Sequence, residues 1–255
     1  MSTRGFKLDH VVVVVPSLIG AIEQYQSLGF TVSLGGDNGP THNALISFED
    51  GCYIELISMR SKLLRGIFKF FYQTKLINLF KPLTSQLKFR LMCWFGGPNG
   101  IRDWCIRQPQ LEPLPEVLSC NKIRMSKAER FSRSKPNLDL AEWLLAAPLD
   151  QRLPFLIEDI TDLGVRIPAG DACLHGNGCR GISSLLLDQD RYSSIRESLA
   201  MLTQCDAALG HNSNEIDIKF MAQQSSQIVV ELTGIGPNVA NLAVPSNQCP
   251  EIILR

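Results

Sequence analysis

The sequence predicts an α+β protein that contains two similar β-α-β-β-β modules with an inserted helical segment between them. Two observations support this fold class. The order of strand and helix patterns in residues 1–58 returns after residue 181, and hydrophobic residues make up 45% of the chain against 20% charged residues. That balance provides enough apolar surface for a core and too little charge for a disordered chain. We expect one structural unit, with the first module at 1–59, the insertion and connecting segment at 60–150, and the second module at 151–255.

The first module begins with a strand at 7–15, because five consecutive valines strongly favour extended backbone. Pro16 and Ser17 end this strand, and Ser17 is a suitable N-cap for a helix at 18–28. Gly29 then occupies the position that commonly follows a helix. Three extended segments complete the module; they lie at 30–34, 43–48 and 52–58, separated by turn residues at 35–42 and 49–51.

The second module repeats this order. An apolar strand is predicted at 181–187 and an amphipathic helix at 188–202. Three further strand segments are predicted at 205–209, 215–221 and 227–232. When the two modules are aligned, Y-I-E-L at 53–56 matches V-V-E-L at 229–232.

Several motifs accompany the repeat. The chain opens its first strand with L-D-H-V-V-V-V-V-P-S from Leu8, and its middle contains G-I-R-D-W from Gly100, P-F-L-I-E-D-I-T from Pro154 and L-H-G-N-G from Leu174. Together with Y-I-E-L, these motifs resemble the glyoxalase-like domain family of the vicinal oxygen chelate superfamily. The resemblance extends from Leu8 to about residue 236, apart from a basic insertion. It implies that the two modules form a half-open, barrel-like sheet around one cavity.

The resemblance also implies a divalent metal (Fe, Mn, Zn or Ni) held by His10, Glu55 and Glu231. An imidazole and two carboxylates suit these ions and leave positions for water and substrate. Glu55 lies in an apolar strand, where a carboxylate without a partner is costly, so it must face a cavity, a metal or solvent. We expect Glu55 to be catalytic as well, with His42 and His175 as a further ligand or acid/base group.

Each of these residues has a purely structural alternative. His10 can be a core histidine, Glu231 can face outward on a half-exposed strand, and His42 and His175 can be ordinary loop histidines. For the acidic pair Glu158 and Asp159, we expect structural hydrogen bonding rather than catalysis.

The function implied by the resemblance is that of a metal-assisted lyase, isomerase or dioxygenase acting on a small oxygenated molecule. A non-catalytic protein that binds or sequesters a small molecule is the alternative. That alternative is favoured by Gly181, which lies opposite His10 in the aligned modules where a ligand is expected. Either the modules pair within one chain or they exchange between the two chains of a homodimer.

Composition excludes other classes of function. The 25 basic and 25 acidic residues give a net charge of zero, without the basic field that nucleic-acid binding needs. The eight cysteines form no C-x-x-C pair, and the N-terminus does not resemble a secretory signal, so we expect a cytoplasmic protein with reduced thiols.

The insertion has an unusual charge pattern, since residues 56–101 contain no Asp or Glu. Apolar residues at helical spacing predict an amphipathic helix at 61–80, ended by Pro82. Three interpretations of residues 60–90 stay open. The segment can pack its aromatic face onto the barrel mouth, close over an apolar substrate as a lid, or contact a membrane surface.

Overall fold

The structure is a computed structural model that describes residues 7–112, 123–134, 140–207, 216–222, 228–234 and 252–254. These residues form an eight-stranded sheet, a four-stranded sheet and several helices. The strands of the large sheet are β1 Leu8–Val14, β2 Ser33–Asn38, β3 Thr41–Ser47, β4 Tyr53–Met59, β5 Gly100–Arg107, β6 Glu129–Ser134, β7 Leu140–Ala146 and β8 Phe155–Asp159. The small sheet consists of β9 Gly181–Asp188, β10 Asp217–Met221, β11 Ile228–Thr233 and β12 Ile252–Leu254.

Helices connect and cover these sheets. The α-helices are α1 Leu18–Ser27, α2 Lys62–Gln73, α3 Gln86–Gly96, α4 Leu163–Arg166, α5 Gln189–Tyr192 and α6 Arg196–Ala207, and short 3-10 helices lie at Leu76–Phe80, Gly170–Cys173 and Ser193–Ile195. Ser17 caps α1 as predicted, because its side chain accepts a hydrogen bond from Gly20 N at 3.3 Å. Within the described residues, no helix is both long enough and apolar enough to cross a bilayer.

The large sheet is a nearly closed, barrel-like sheet with strand order β2-β3-β4-β1-β5-β8-β7-β6. β1 pairs with β4 in parallel and with β5 in antiparallel orientation, and β5 pairs with β8 in parallel. The two halves, β1–β4 and β5–β8, therefore show the same pairing pattern around the central β1–β5 contact. The edge strands approach each other where Gly36 faces Arg133, since a Cβ added at Gly36 would overlap the arginine side chain.

This topology confirms the α+β fold class and the barrel-like sheet, but the second half comes from a different segment than the repeat predicted. Residues 100–159 supply it, whereas the strands after Gly181 form the separate small sheet. In that sheet β9 is parallel to β10 and antiparallel to β11, so β11 does not hold the place that β4 holds beside β1. The local sequence pattern matches, yet the strand pairing differs.

Three predicted elements need correction. The helix predicted at 61–80 ends at Gln73, where Lys75 adopts a positive φ of 61° and starts a short 3-10 helix. The strand predicted at 30–34 is β2 at Ser33–Asn38, so most of the segment predicted as a turn at 35–42 is extended. The described part of the strand predicted at 205–209 is the C-terminal end of α6, and residues 208 and 209 lie outside the described residues.

The two faces of the large sheet have different roles. On one face, alternate residues of β1 such as Val11 and Val13 join a core cluster that also contains α1 residues and Leu185 and Val230 of the small sheet. On the other face, Val12 and Val14 pack in a second cluster with Leu64 and Phe68 of α2 and with several residues of α3. The insertion therefore packs apolar side chains against the inside of the barrel.

Candidate functional site

A cavity of about 500 Å³ lies on the inner face of the barrel. Both halves of the large sheet and α3 contribute to its wall. Its apolar lining includes Leu45, Ile57, Leu91, Trp94, Phe131, Trp143, Leu145, Phe155 and Ile157, and its polar lining includes His10, Thr41, Asn43, Tyr53, Glu55, Ser132, Arg133 and Arg166. An apolar cavity with a few convergent polar groups is the usual form of a small-molecule site.

His10 and Glu55 meet in this cavity. β1 and β4 are parallel neighbours, with His10 in register with Tyr53, and this places His10 close to Glu55 two residues further along β4. The His10 Nε2 atom lies 3.7 Å from Glu55 Oε2. Asn43 on β3 donates a hydrogen bond from Nδ2 to the other carboxylate oxygen of Glu55. The two residues expected as first-module ligands are thus brought together.

Asp9 fixes the orientation of the His10 ring. The Asp9 carboxylate accepts a hydrogen bond from His10 Nδ1 at 2.6 Å, so Nε2 is the ring nitrogen directed towards the cavity. Tyr53 stacks on the same ring with centroids 4.6 Å apart. The His10 Nε2 atom is therefore held facing Glu55.

Two arginines, Arg107 of β5 and Arg166 of α4, neutralise Asp9. Arg107 Nε lies 2.7 Å from Asp9 Oδ2, and Arg166 donates to both oxygens at 3.0 and 2.7 Å. Burial would raise the pKa of the Asp9 carboxyl, but Arg166, the His10 hydrogen bond and Arg107 outweigh it and hold that pKa well below its usual range. Asp9 is consequently ionised although it is completely buried.

Arg166 ties this cluster to the end of β8. Its Nε lies 2.5 Å from Asp159 Oδ1, and its Nη1 donates to Tyr53 Oη at 2.8 Å. The Asp159 contact and the hydrogen bond from Leu111 N to Glu158 Oε2 agree with the structural role predicted for these two acidic residues. Burial raises the pKa of the Tyr53 hydroxyl, and nearby Asp9 and Glu55 raise it further. The Tyr53 hydroxyl therefore stays protonated.

Arg133 is the cation of the cavity that has a free donor. It is only 6% exposed, and its Nη2 atom donates to the backbone oxygen of Arg166 at 2.8 Å. Its Nε atom is buried without a hydrogen-bond partner among the described residues. A buried guanidinium with an unsatisfied N–H favours an anionic or strongly polar ligand beside it.

Glu231 lies elsewhere. It is on β11 of the small sheet, where its carboxylate accepts a hydrogen bond from the Ser184 hydroxyl and lies 2.7 Å from Lys219 Nζ. It is not among the residues that line the cavity. The cost of burying this carboxylate is thus offset by Ser184 of β9 and Lys219 of β10.

The two other candidate histidines, His42 and His175, also lie away from the cavity. Thr41, Asn43 and Leu45 of β3 line it, so strand alternation places His42 on the opposite face of the sheet. His175 accepts a hydrogen bond from Thr31 N at 3.1 Å and has the edges of two phenylalanine rings around it. Burial lowers its pKa, so it is a neutral packing residue at the end of α1.

The pairing register identifies the second-half counterparts of the first-half residues. His10 is in register with Tyr53 in the first half, as Cys105 is with Phe155 in the second. Glu55 lies two residues after Tyr53 on β4, and Ile157 lies two residues after Phe155 on β8, so Glu55 and Ile157 occupy corresponding positions. The second half therefore offers a thiol and a hydrocarbon where the first half offers an imidazole and a carboxylate.

Asp9, His10 and Cys105 place ligand-type atoms within 4.8 Å of one another. Two guanidinium groups already contact Asp9, and burial raises the pKa of the Cys105 thiol well above its usual value. Metal ligation needs a thiolate and an accessible carboxylate. We therefore assign this cluster to the support of His10 rather than to an ion.

Sequence reasoning missed Asp9, Arg133 and Arg166. Asp9 precedes His10 in the motif L-D-H, and that adjacency was the available signal. The two arginines carry no local signal, because their contacts arise from strands and a short helix far apart in the chain. A larger surface groove of about 590 Å³ lies between residues 48–51 and 162–174, but His10, Glu55 and the arginines line the smaller cavity.

Two half-sheets of the same pairing pattern that close around a shared cavity define a protein of the vicinal oxygen chelate class. A model of the glyoxalase-like domain matches residues 8–203. The chain thus belongs to the glyoxalase-like domain family. No curated protein sequence matches it significantly.

One solved structure supports this fold, and two others match with lower TM-scores. A hypothetical protein from Staphylococcus aureus is 13% identical, with a TM-score of 0.59 over 89% of this chain and 91% of that chain. The methylmalonyl-CoA epimerase from Mycobacterium tuberculosis is 17% identical, with a TM-score of 0.37 over 60% of this chain and 86% of that chain. The 2,3-dioxygenase LapB from Pseudomonas sp. KL28 is 12% identical, with a TM-score of 0.42 over 90% and 75%.

Proposed function

We propose that this protein is an enzyme of the lyase, isomerase or dioxygenase type that acts on a small, oxygenated, anionic molecule in the barrel cavity. One observation carries the proposal: the buried Asp9 orients His10 so that Nε2 faces Glu55 at 3.7 Å inside a cavity that also contains a partly unsatisfied arginine. Maintaining a buried ionised carboxylate behind a histidine is costly and is typical of functional sites.

His10 and Glu55 suit proton transfer. A neutral imidazole with its Nδ1–H bound to a carboxylate is a stronger base at Nε2, because the carboxylate stabilises the imidazolium that forms. Glu55 is 15% exposed on its side chain and holds one hydrogen bond, from Asn43, so its second oxygen faces the cavity. The pair can remove a proton from a carbon next to a carbonyl group and return it.

A divalent metal also fits this pair. The Asp9 contact at Nδ1 is the arrangement that usually supports a metal-binding histidine, and His10 Nε2 with the Glu55 carboxylate would hold the ion. Bound there, the ion would polarise adjacent oxygens of the substrate. The cavity wall supplies two such ligands, so substrate or water oxygens would complete the coordination.

The other cavity residues point to the chemical class of the substrate. Arg133 offers an N–H donor to a carboxylate or enolate oxygen. Trp94, Trp143 and Phe155 provide flat apolar walls that suit a short carbon chain or a ring. We infer a substrate with an anionic end near Arg133 and its reacting oxygens near His10.

Two measurements test the proposal. After incubation with Mn²⁺, Fe²⁺, Ni²⁺ or Zn²⁺, the wild-type protein should retain about one equivalent of metal, and His10→Ala/Glu55→Gln should retain none. Glu231→Gln should retain as much as wild type, since Glu231 is bound to Lys219. Loss of metal in Glu231→Gln with retention in the double variant would refute this ligand set.

The catalytic part is tested by isotope exchange. Small 2-oxo and 2-hydroxy carboxylates are incubated with the protein in D₂O and followed by proton NMR. We expect deuterium to enter at the carbon next to the carbonyl group, and this exchange should be lost in His10→Ala. If the compounds bind but neither exchange nor react, the enzymatic proposal is wrong.

A second function is favoured by one observation. The second half of the barrel carries Cys105 and Ile157 where the first half carries His10 and Glu55, so half of the symmetric ligand set is missing. A non-catalytic protein that binds a small anionic molecule between Arg133 and the aromatic walls is consistent with that. It predicts ligand binding that survives His10→Ala and is lost in Arg133→Met.

A further inference from the structure

The insertion carries the densest group of exposed apolar side chains in the described part of the chain. Half of the exposed large hydrophobic residues found there lie within 63–83, in α2 and the segment that follows it. They are Leu63, Ile67, Phe70, Leu76, Leu79 and Leu83, with exposures from 42% to 80%. We call this set the insertion face.

The insertion face is distinct from the side of α2 that packs on the barrel. Leu63, Ile67 and Phe70 follow helical spacing of four and three residues and form an exposed stripe. Leu64 and Phe68 form the neighbouring stripe and contact the barrel cluster. The helix therefore has two apolar sides, and the fold uses only one of them.

Aromatic contacts join the two parts of the insertion face. The rings of Phe70 and Phe71 lie 5.7 Å apart, and Phe71 contacts Phe80 of the 3-10 helix at 5.2 Å. Leu76 and Leu79 are three residues apart on that 3-10 helix, which places them on one side of it. All of the exposed apolar residues except Leu83 thus belong to two helices that contact each other.

The charged residues of this segment are all positive. Residues 56–101 contain no acidic residue, and the exposed lysines in the insertion are Lys62, Lys69, Lys75, Lys81 and Lys88. Arg65 and Arg90 of the same segment are buried in contacts with Asn99 and Asp103 and do not add to the surface charge. An apolar stripe bordered by lysines is the pattern of helices that lie in a lipid headgroup region.

We propose that the insertion face docks onto an anionic lipid surface. Charge complementarity selects this partner: the lysines would approach lipid phosphates and carboxylates while Leu63, Phe70 and Leu79 enter the acyl boundary. A second copy of the chain is disfavoured as the occupant, because a symmetric contact through this face would bring two lysine groups together. The proposal does not depend on the function of the cavity.

Docking would also place the cavity near the lipid. The helix α3, which packs against α2, contributes Leu91 and Trp94 to the cavity wall. The surface for the membrane and the wall of the cavity are therefore two sides of one helical layer.

The test uses sedimentation of the full chain with vesicles. We expect the wild-type protein to sediment with vesicles of phosphatidylcholine and phosphatidylserine, to bind pure phosphatidylcholine much less, and to lose binding as salt rises. Leu63→Ser/Phe70→Ser/Leu79→Ser should lower the partition coefficient more than about tenfold. Lys62→Gln and Lys69→Gln should each lower it about fivefold.

Matched controls separate this effect from general changes of the surface. Ile19→Ser removes an apolar side chain of 69% exposure from α1, and Lys127→Gln removes an exposed lysine outside residues 56–101. Neither substitution should change binding. Circular dichroism checks that the triple variant folds, and the two lysine variants keep the test valid if it does not. Equal binding of wild type and both sets of variants, no binding to anionic vesicles, or a wild-type dimer that the triple variant dissociates would each overturn the proposal.

Discussion

Replacing Asp9 by asparagine tests the charge cluster behind the candidate site. The substitution keeps the size of the side chain and removes its charge. Asp9 is completely buried, and its carboxylate contacts Arg107, Arg166 and His10 at distances of 2.6 to 3.0 Å. In Asp9→Asn, two guanidinium groups that face a carboxylate in the wild type face a neutral amide.

The expected loss of stability in Asp9→Asn follows from the burial of the Asp9 carboxylate. Removing one partner of a buried ion pair costs about 3–5 kcal/mol, because the other charge stays desolvated without compensation. The asparagine oxygen can still accept one hydrogen bond, and Arg166 keeps its contact with Asp159 at 2.5 Å. We therefore expect a loss of about 3 kcal/mol in the free energy of unfolding, the lower end of that range.

Urea denaturation followed by tryptophan fluorescence measures this loss. Asp150→Asn is a matched control, since Asp150 also pairs with an arginine at 2.6 Å but both side chains are about a third exposed. An exposed pair contributes less than about 1 kcal/mol. If Asp9→Asn costs no more than Asp150→Asn, the reasoning that Asp9 is an essential buried charge is refuted.

The stability of the folded protein should depend on pH with a definite sign. The pKa of the Asp9 carboxyl is held well below its usual range in the folded protein, by Arg166, His10 and Arg107 against the effect of burial. Its contribution to stability is therefore complete above the unfolded pKa of about 3.9 and is lost as the pH falls through the lower folded value. The wild type should lose stability below about pH 4 more steeply than Asp9→Asn.

Three further substitutions test separate parts of the fold by the same urea measurement. Leu56→Ala removes a completely buried side chain of β4 and should cost about 2–5 kcal/mol; a cost below 1 kcal/mol would contradict its place in the core. Gly29→Ala should lower the free energy of unfolding by about 1–3 kcal/mol, because Gly29 has a φ of 83° and an added Cβ would lie 2.9 Å from Asn177 N. The control Gly39→Ala should lower it less, because Gly39 also has a positive φ but has open space around it. Glu231→Gln should cost about 1–3 kcal/mol, since it weakens the contacts with Lys219 and Ser184; an unchanged stability would mean that the contact with Lys219 contributes nothing.

The sequence predicts β1, α1 and β4 of the first half well because their signals are local. Five consecutive valines identify β1, and the strand is buried on both faces because β4 and β5 flank it and clusters cover each side. Ser17 and Gly29 mark the two ends of α1, and both act through backbone contacts within a few residues. Such elements need no knowledge of the rest of the chain.

The pairing of strands cannot be predicted from the local sequence in the same way. V-V-E-L resembles Y-I-E-L in pattern, but a pattern fixes only which residues alternate and not which neighbour a strand takes. Glu55 faces the cavity while Glu231 meets Lys219, although each is a single carboxylate in an apolar strand. The sequence shows that both need a partner, and only the tertiary structure determines which partner each one finds.

The two halves of the barrel contribute different residues to the site, and this makes the site asymmetric. The first half supplies His10 and Glu55, whose atoms face the cavity. Residues within or following the second half, Arg107 and Arg166, supply the charges that hold Asp9 ionised behind His10. Because the second half carries Ile157 where the first half carries Glu55, while Arg107 at the end of β5 contacts Asp9, its main contribution to the His10–Glu55 pair is to the position of the His10 ring. A change at Arg166 should therefore affect the site through His10 even though Arg166 comes from a helix that follows the barrel.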